Sequence, residues 1–419
     1  MKKLALQFFL IFCLPYFSFG QSDQNVANLL NKEDYLELKR VLPSVKDSIV
    51  NPMIRKLSEA SICLAFSEDP MSRTQVIADL INNYGNELGF ENVVGFAELL
   101  SQELVKYGNG ADALNILEQF ISITTDPQIL SRLENTYKIV SGLNKIPGTS
   151  VIRDPAKSPN VKFSTDVKGS ERLWYIPVEI EGNTEPFIFD TGAAESFISK
   201  SFAERYNIKI VADSILMNGV GGSEYVSLGV IDTLKVADII YANMPVYIGQ
   251  TDYPKDSITI EAVLGIPFMK NVGMIGIEPK KNEITFEGEQ DGNTSANVSL
   301  HSNRMLIELY CKDIRLLMFC DTGAAMEGWI NDSIYENHTE LFEDVGQSYL
   351  IQSRGFAGIS LLAVRDIPDV TLKAGKSSRS FTDFKLVDRC ANDGELGVGF
   401  FKQFDKIEID LSEHHILLQ

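Results

Sequence analysis

The sequence predicts a mainly β protein of two duplicated, closed β lobes preceded by an all-α domain, and three observations carry that reading. First, Asp190-Thr191-Gly192-Ala193-Ala194 recurs as Asp321-Thr322-Gly323-Ala324-Ala325, each copy after an apolar run, Phe187-Ile188-Phe189 and Leu316-Leu317-Met318-Phe319-Cys320. Second, the duplication extends further at a nearly constant offset. Val263-Leu264-Gly265-Ile266-Pro267-Phe268 answers to Glu395-Leu396-Gly397-Val398-Gly399-Phe400, Ile277-Glu278 to Ile409-Asp410, and Ile284-Thr285-Phe286 to Ile416-Leu417-Leu418. The repeat is thus a unit of about 120 residues present twice. Third, the chain ahead of this pair, from about Asn25 to Leu143, carries helical periodicity.

Taken in order, residues 1–20 read as a signal peptide. Lys2-Lys3 is the basic start, Leu4 to Phe17 a short apolar core, and Ser18-Phe19-Gly20 places small residues ahead of a cleavage before Gln21. The apolar stretch is too short for an ordinary membrane span, so no stable span is expected once it is removed, and the chain is expected to be exported, to a periplasm or to the medium. Residues 21–146 read as helices. The stretch 92–106 has an apolar face at helical spacing, Gly108-Asn109-Gly110 breaks it, Ala111 opens a second amphipathic helix, and Asp126-Pro127 begins a third with Pro at the first helical position. Residues 147–172, with Pro147, Pro155 and Pro159 among Gly, Ser, Lys and Asp, read as an exposed linker with a short strand near Val161 to Phe163. Residues 173–290 form the first lobe. Tyr175 to Ile180, a turn at Gly182-Asn183 and Pro186 to Phe189 make a hairpin that ends at Asp190. Residues 299–419 form the second lobe, where Met305 to Tyr310, a turn near Lys312-Asp313 and Arg315 to Cys320 repeat that hairpin. The Gly- and Asp-rich run from Gly288 to Ser299 joins them.

Charge argues against nucleic acid. Lys and Arg number 38 against 57 Asp and Glu, and a net charge of −19 repels phosphate backbones. The acidity suits a solvated surface or basic peptides. No Cys-x-x-Cys or His-Glu-x-x-His pattern suggests a metal, and no cofactor is expected. Cys320, beside Asp321, reads as a small buried apolar residue, and Cys311 with Cys390 could pair in an oxidising compartment.

Burying a carboxylate alone at a strand end is costly, but two of them can share one proton. The run from Phe187 through Asp190-Thr191-Gly192-Ala193 to Ser196-Phe197-Ile198, then Phe202-Ala203, together with its second copy, resembles the retropepsin- and pepsin-like aspartic proteases. The resemblance spans Trp174 to Gln419 and implies the bilobal acid-protease fold. It implies Asp190 and Asp321 as a catalytic pair that activates water to hydrolyse peptide bonds. It implies Thr191 and Thr322 reaching across to lock the two loops, and Gly192 and Gly323 letting the backbone turn beneath the carboxylates. Ala193 and Ala324 look retropepsin-like. A flap is also implied, for which Gly219, Gly221, Gly222 and Tyr225 are the candidates, with Gln352 to Gly358 as the counterpart in the second lobe. The same glycines would also serve ordinary hairpin tips. The second lobe departs from the pattern: Met326-Glu327-Gly328-Trp329-Ile330 is one residue longer than its counterpart, and Glu395 stands where the first lobe has Val263.

The helix pair containing Ala111 to Phe120 resembles tetratricopeptide-type hairpins, without their full signature. That domain could be a platform for a protein partner or substrate, an inhibitory prosegment, or a mere packing domain. The leading expectation is an exported aspartic endopeptidase acting on peptides or proteins. The alternatives are a non-catalytic peptide-binding module with a protease-like cleft, and a helical adaptor whose β part is structural.

Overall fold

The computed structural model describes residues 20–154, 156–165, 172–250, 260–287, 295–388 and 392–419. The signal-peptide reading (apart from Gly20), most of the run joining the two lobes, and Cys390 lie outside the described residues. The chain divides into two compact units, Met1–Gly148 with Ile210–Met217, and Thr149–Lys209 with Asn218–Gln419.

The first unit is helical. Its helices are α1 (Gln21–Asn31), α2 (Tyr35–Val45), α3 (Pro52–Phe66), α4 (Pro70–Leu88), α5 (Phe90–Lys106), α6 (Gly110–Ile123) and α7 (Pro127–Leu143). Three of them start by one device, an Asx cap followed by proline. Asn51 Oδ1 accepts from the Met53 and Ile54 amides at 2.9 and 3.3 Å, Asp69 from Ser72 at 2.9 Å, and Asp126 from Gln128 and Ile129 at 2.8 and 3.1 Å. Each cap stabilises its helix by about 1 kcal/mol, and the proline that follows sacrifices no helical hydrogen bond. The apolar faces meet in two clusters. One runs from Val26 to Leu100 across α1–α5, and the other joins Val94, Val105, Ala113, Leu117, Leu133 and Val140.

A buried ion pair crosses the first of these layers. Arg73 on α4 grips Glu103 on α5 with two bonds, 2.9 and 3.0 Å, and donates through Nη1 to the Leu64 and Ser67 carbonyls at the end of α3. Burial pushes the Glu103 carboxyl up, but the bonds and charges of Arg73 and Lys106 outweigh it and hold Glu103 at about 2. On α5, Glu98 accepts a bond from Thr136 Oγ1 of α7 at 2.9 Å, and there burial prevails and raises the carboxyl. The segment Ile210–Met217 completes this unit: Asn135 of α7 exchanges two bonds with the Leu216 backbone, at 3.1 and 2.6 Å, while Lys138 and Lys145 donate to the Ser214 and Val211 carbonyls.

The second unit is built from strands. In its first part the strands Tyr175–Ile180, Asn183–Phe189, Ala262–Leu264, Phe197–Ser199, Ile239–Gly249 and Gly222–Val236 pair in that order, and the last closes on the first to make a six-stranded ring. The hairpin that leads to Asp190 turns on Glu181 and Gly182, both at positive φ, 51° and 79°. Its inward side chains Phe187 and Phe189 are wholly buried, and Phe187 meets Phe202 edge-on at 5.5 Å. Each such ring contributes about 1.5–3 kcal/mol by leaving water.

In the second part, Ile314–Asp321 pairs parallel with Gly394–Gly397, as Asn183–Phe189 does with Ala262–Leu264. Gly394–Gly397 runs antiparallel to Gly328–Asn331, which is parallel to Phe384–Val387, as Ala262–Leu264 is antiparallel to Phe197–Ser199, itself parallel to Ile239–Gly249. A separate five-stranded sheet joins strands of both parts in the order Asn160–Lys162, Glu283–Glu287, Met274–Glu278, Ile407–Asp410, His415–Leu418. Its centre is the antiparallel match of Ile275 with Ile409 and Ile277 with Ile407, so the tails that align in sequence lie side by side. The stretch read as a linker carries two short strands, Ser150–Ile152 against Ile240 to Ala242 and Asn160–Lys162 against Glu283 to Thr285, both at sheet edges.

Candidate active site

Two loops of like sequence, each leaving an apolar strand, meet within the second unit. The Thr191 amide donates to Thr322 Oγ1 and the Thr322 amide to Thr191 Oγ1, both at 3.0 Å. Each hydroxyl then donates to the opposite strand end, Thr191 to the Cys320 carbonyl at 3.1 Å and Thr322 to the Phe189 carbonyl at 2.7 Å. Both threonines are fully buried, so these four bonds have no competition from water.

The lock sets the carboxyls face to face. Asp190 Oδ1 accepts from the Gly192 and Ala193 amides at 2.7 and 3.1 Å, and Asp321 Oδ1 accepts from Gly323 at 2.9 Å. The two carboxyls hydrogen-bond each other. The glycines are obligatory for a reason visible in the geometry. A Cβ on Gly192 would lie 2.3 Å from the Asp321 carboxyl, and one on Gly323 would lie 2.3 Å from that of Asp190. Gly265 and Gly397 are equally constrained, since a Cβ would come within 2.5 Å of the Ala193 carbonyl or 2.3 Å of the Met326 carbonyl. Backbone bonds from Ile266 to Ala193 and from Val398 to Ala324, each 2.9 Å, pin the loops at those points.

Burial raises both carboxyls. For Asp321 the charges of Asp190 and of Glu395 add to it, and its carboxyl is held well above the usual range. Two carboxyls in contact cannot both ionise cheaply, so the pair retains one proton and titrates as a unit. Such a pair can take a proton from a water with its ionised member while its protonated member donates to a carbonyl oxygen. Burial also pushes the Cys320 thiol up, so it stays neutral, as its apolar reading requires. Among the described residues no cluster of metal-ligating side chains occurs.

The sequence-predicted tip residues fall at two turns that meet. The strand ending at Gly219 and the one starting at Gly222 flank Val220 and Gly221, while Tyr349–Gly355 and Gly358–Ile367 flank Phe356 and Ala357. A Cβ on Gly221, at φ +102°, would lie 2.3 Å from the Gly358 carbonyl carbon, and one on Gly219 would strike the Phe356 ring. That ring also packs on Phe197, with centroids 5.3 Å apart. Tyr225 is 65 % exposed and stands on the strand next to buried Val226. Sequence reasoning treated Glu395 only as a departure from the repeat, yet its carboxyl bonds that of Asp321. The signal was present: a charged residue in a strand whose counterpart is valine.

A family model described as aspartyl protease matches residues 176–268. Among solved structures, conglutin gamma, a basic 7S globulin from lupine seeds, is 10 % identical, with 63 % of this chain and 94 % of that one covered at a TM-score of 0.40. The basic 7S globulin from soybean is 8 % identical, with 62 % and 94 % covered at 0.40. A retropepsin-like aspartic protease from Rickettsia conorii is 14 % identical, with 33 % and 91 % covered at 0.22. A search of curated proteins gave no match. Residues 176–268 therefore form an aspartyl-protease-like domain within the longer chain.

Proposed function

We propose that this chain is an aspartic endopeptidase in which two duplicated lobes of one polypeptide each supply one carboxylate. The observation that carries this reading is the reciprocal threonine lock, which holds Asp190 and Asp321 in hydrogen-bond contact at matching points of the two halves. The sense-for-sense agreement of the strand pairings supports the duplication. A peptide lies between the carboxyls and the tips formed by Val220-Gly221 and Phe356-Ala357. The ionised carboxylate takes a proton from water, the water oxygen attacks the scissile carbonyl, and the protonated carboxyl donates to the carbonyl oxygen. The tetrahedral carbon collapses as a proton passes to the amide nitrogen, and the amine leaves.

Residues 1–20 direct export in this reading, and helix α1 starting at Gln21 suits a mature chain that begins there. Among the described residues no helix is long and apolar enough to cross a membrane. The helical unit is retained as a platform for a protein partner. The deciding experiment incubates the protein with a denatured protein mixture from acidic to neutral pH, with and without pepstatin, and reads the new termini. Pepstatin-sensitive cleavage that disappears in Asp190→Asn and Asp321→Asn supports the proposal. Pepstatin-sensitive binding of peptides without any cleavage would replace it with the peptide-binding reading.

A further inference from the structure

Glu395 occupies a position that register assigns unambiguously. It pairs with Phe319 on the strand that leads to Asp321 and with Trp329 on the other side, as Val263 pairs with Ile188 and Phe197 in the first half. In the first half an alkyl group fills that place. In the second a carboxyl does, and it hydrogen-bonds the carboxyl of Asp321, which in turn bonds that of Asp190. Three carboxyls therefore stand in a row, with Asp321 in the middle.

The surroundings of this row are uneven. Asp190 is served by two amides of its own loop, while Asp321 has Gly323 and two carboxyl neighbours. The other charge that acts on Glu395 is Arg304, whose guanidinium lies over the Phe319 ring at 5.6 Å and donates to Asn392 Oδ1 at 2.8 Å. The remaining ionisable groups on the flanking elements are engaged elsewhere. Glu327 accepts from the Thr382 and Asp383 amides, Asp393 from the Leu317 amide, and Glu308 is paired with Arg315. Cys320 stays a neutral thiol, and Gly328–Asn331 carries no ionisable side chain.

We infer that Glu395 is a positioning residue for the carboxylate pair, keeping the shared proton between Asp190 and Asp321 at pH values where the pair alone would release it. This rests on the proposed peptidase reading for its functional meaning, but the proton-holding role belongs to the geometry. An ionised Glu395 beside Asp321 disfavours a second negative charge there, so the pair gives up its proton later as pH rises. Burial, with the charge of Asp190, lifts Glu395 itself to about 7, and the three groups titrate as one coupled set. The outcome is an aspartic site whose working range reaches towards neutral pH, in the same direction as the alanines that follow Asp-Thr-Gly in both loops, which offer no hydroxyl to an ionised carboxylate.

The test compares the pH dependence of kcat/KM in the full chain with that of Glu395→Gln, Glu395→Val and Glu395→Asp. The glutamine amide donates to an ionised Asp321 and valine restores the first-half residue, so both move the alkaline limb down by about one pH unit or more. Above the displaced limb kcat/KM falls roughly tenfold per pH unit, while the acidic plateau is kept. Glu395→Asp retains a carboxyl and recovers part of the range. Superimposable profiles, or a loss equal at every pH, would overturn the inference. A second measurement needs no turnover: carboxyl NMR titration of the protein labelled at Asp, with Asp321→Asn to assign the signal. Asp321 titrating lower in Glu395→Gln supports the inference, and an unmoved Asp321 refutes it. If the wild type cleaves nothing at any pH, the peptidase proposal falls while the titration still decides the role of Glu395.

Discussion

Replacing Thr322 with valine removes one hydroxyl and keeps the shape of the side chain. That hydroxyl accepts the Thr191 amide at 3.0 Å and donates to the Phe189 carbonyl at 2.7 Å, in a place with no access to water. Valine thus orphans one buried donor and weakens one buried acceptor. Each such group costs about 1–3 kcal/mol when left unpaired, so the sum is roughly 2–6 kcal/mol, and the lower end is the safer figure because the carbonyl can find a second partner. For a unit of this size, about 2–4 °C of Tm is lost per kcal/mol, so about 2 kcal/mol is a fall of about 4–8 °C. Calorimetry of Thr322→Val and Thr191→Val, each beside its serine counterpart, reads this directly. Serine keeps the hydroxyl and should lose far less. A valine variant that melts with the wild type, or a serine variant as damaged as the valine one, would refute the claim that the reciprocal bonds join the two loops.

Asp190→Asn and Asp321→Asn should each abolish cleavage, with the double variant little worse than either, because the pair acts as one group. Both carboxyls are raised in the folded state, so their contribution to stability is complete below the ordinary carboxylate value and is lost as pH rises through their raised values. The inactive variants should therefore melt above the wild type at neutral pH, and an equal or lower Tm would contradict the raised carboxyls. Glu103 has the opposite sign: depressed from 4.5 to about 2, it contributes stability above 4.5 that disappears as pH falls through about 2. Glu103→Gln should flatten the acid side of the helical unit's stability curve, and Arg73→Ala should cost it about 3–5 kcal/mol by leaving the carboxylate buried without its partner; urea melts from neutral to acidic pH measure both. Gly221→Ala adds a Cβ where the Gly358 backbone already stands, at a φ that L residues rarely adopt. It should lower kcat/KM for peptides and take a modest toll on Tm from the strained φ, and full activity would show that the meeting of the two tips has no part in turnover.

The two Asp-Thr-Gly loops and the strands that deliver them were legible because their chemistry is local: an apolar alternation, a turn, and a carboxylate at the end. The hairpins before Asp190 and Asp321 run within one to three residues of where alternation places them. The strand Asn160–Lys162 falls within one residue of the short strand expected near Val161 to Phe163, whereas Ser150–Ile152 was harder to see, because nearby prolines speak for an irregular chain. Edge strands tolerate such neighbours, since one side of an edge needs no ladder donors. Glu395 was visible as an anomaly and unintelligible as one. Only the register against Phe319 reveals that the position opens towards Asp321 and not into the apolar interior. Phe356 stands in the tip that the sequence reading named, but its contacts were hidden for a similar reason: Gly219 and Phe197 are far away in sequence, and no local pattern announces them.

The threonine lock has a consequence for the order in which the molecule can become itself. Thr191 and Thr322 stand 131 residues apart, and neither loop can complete its own hydrogen bonds. While the chain is being synthesised, the first Asp-Thr-Gly loop emerges long before the second exists, with its amide and hydroxyl still bonded to water. The five-stranded sheet waits longer still, because its last strand ends at Leu418. Contacts of such separation form late and slowly. A partly made chain therefore holds one carboxylate and no facing partner, and the shared proton has no place to reside until both halves have folded.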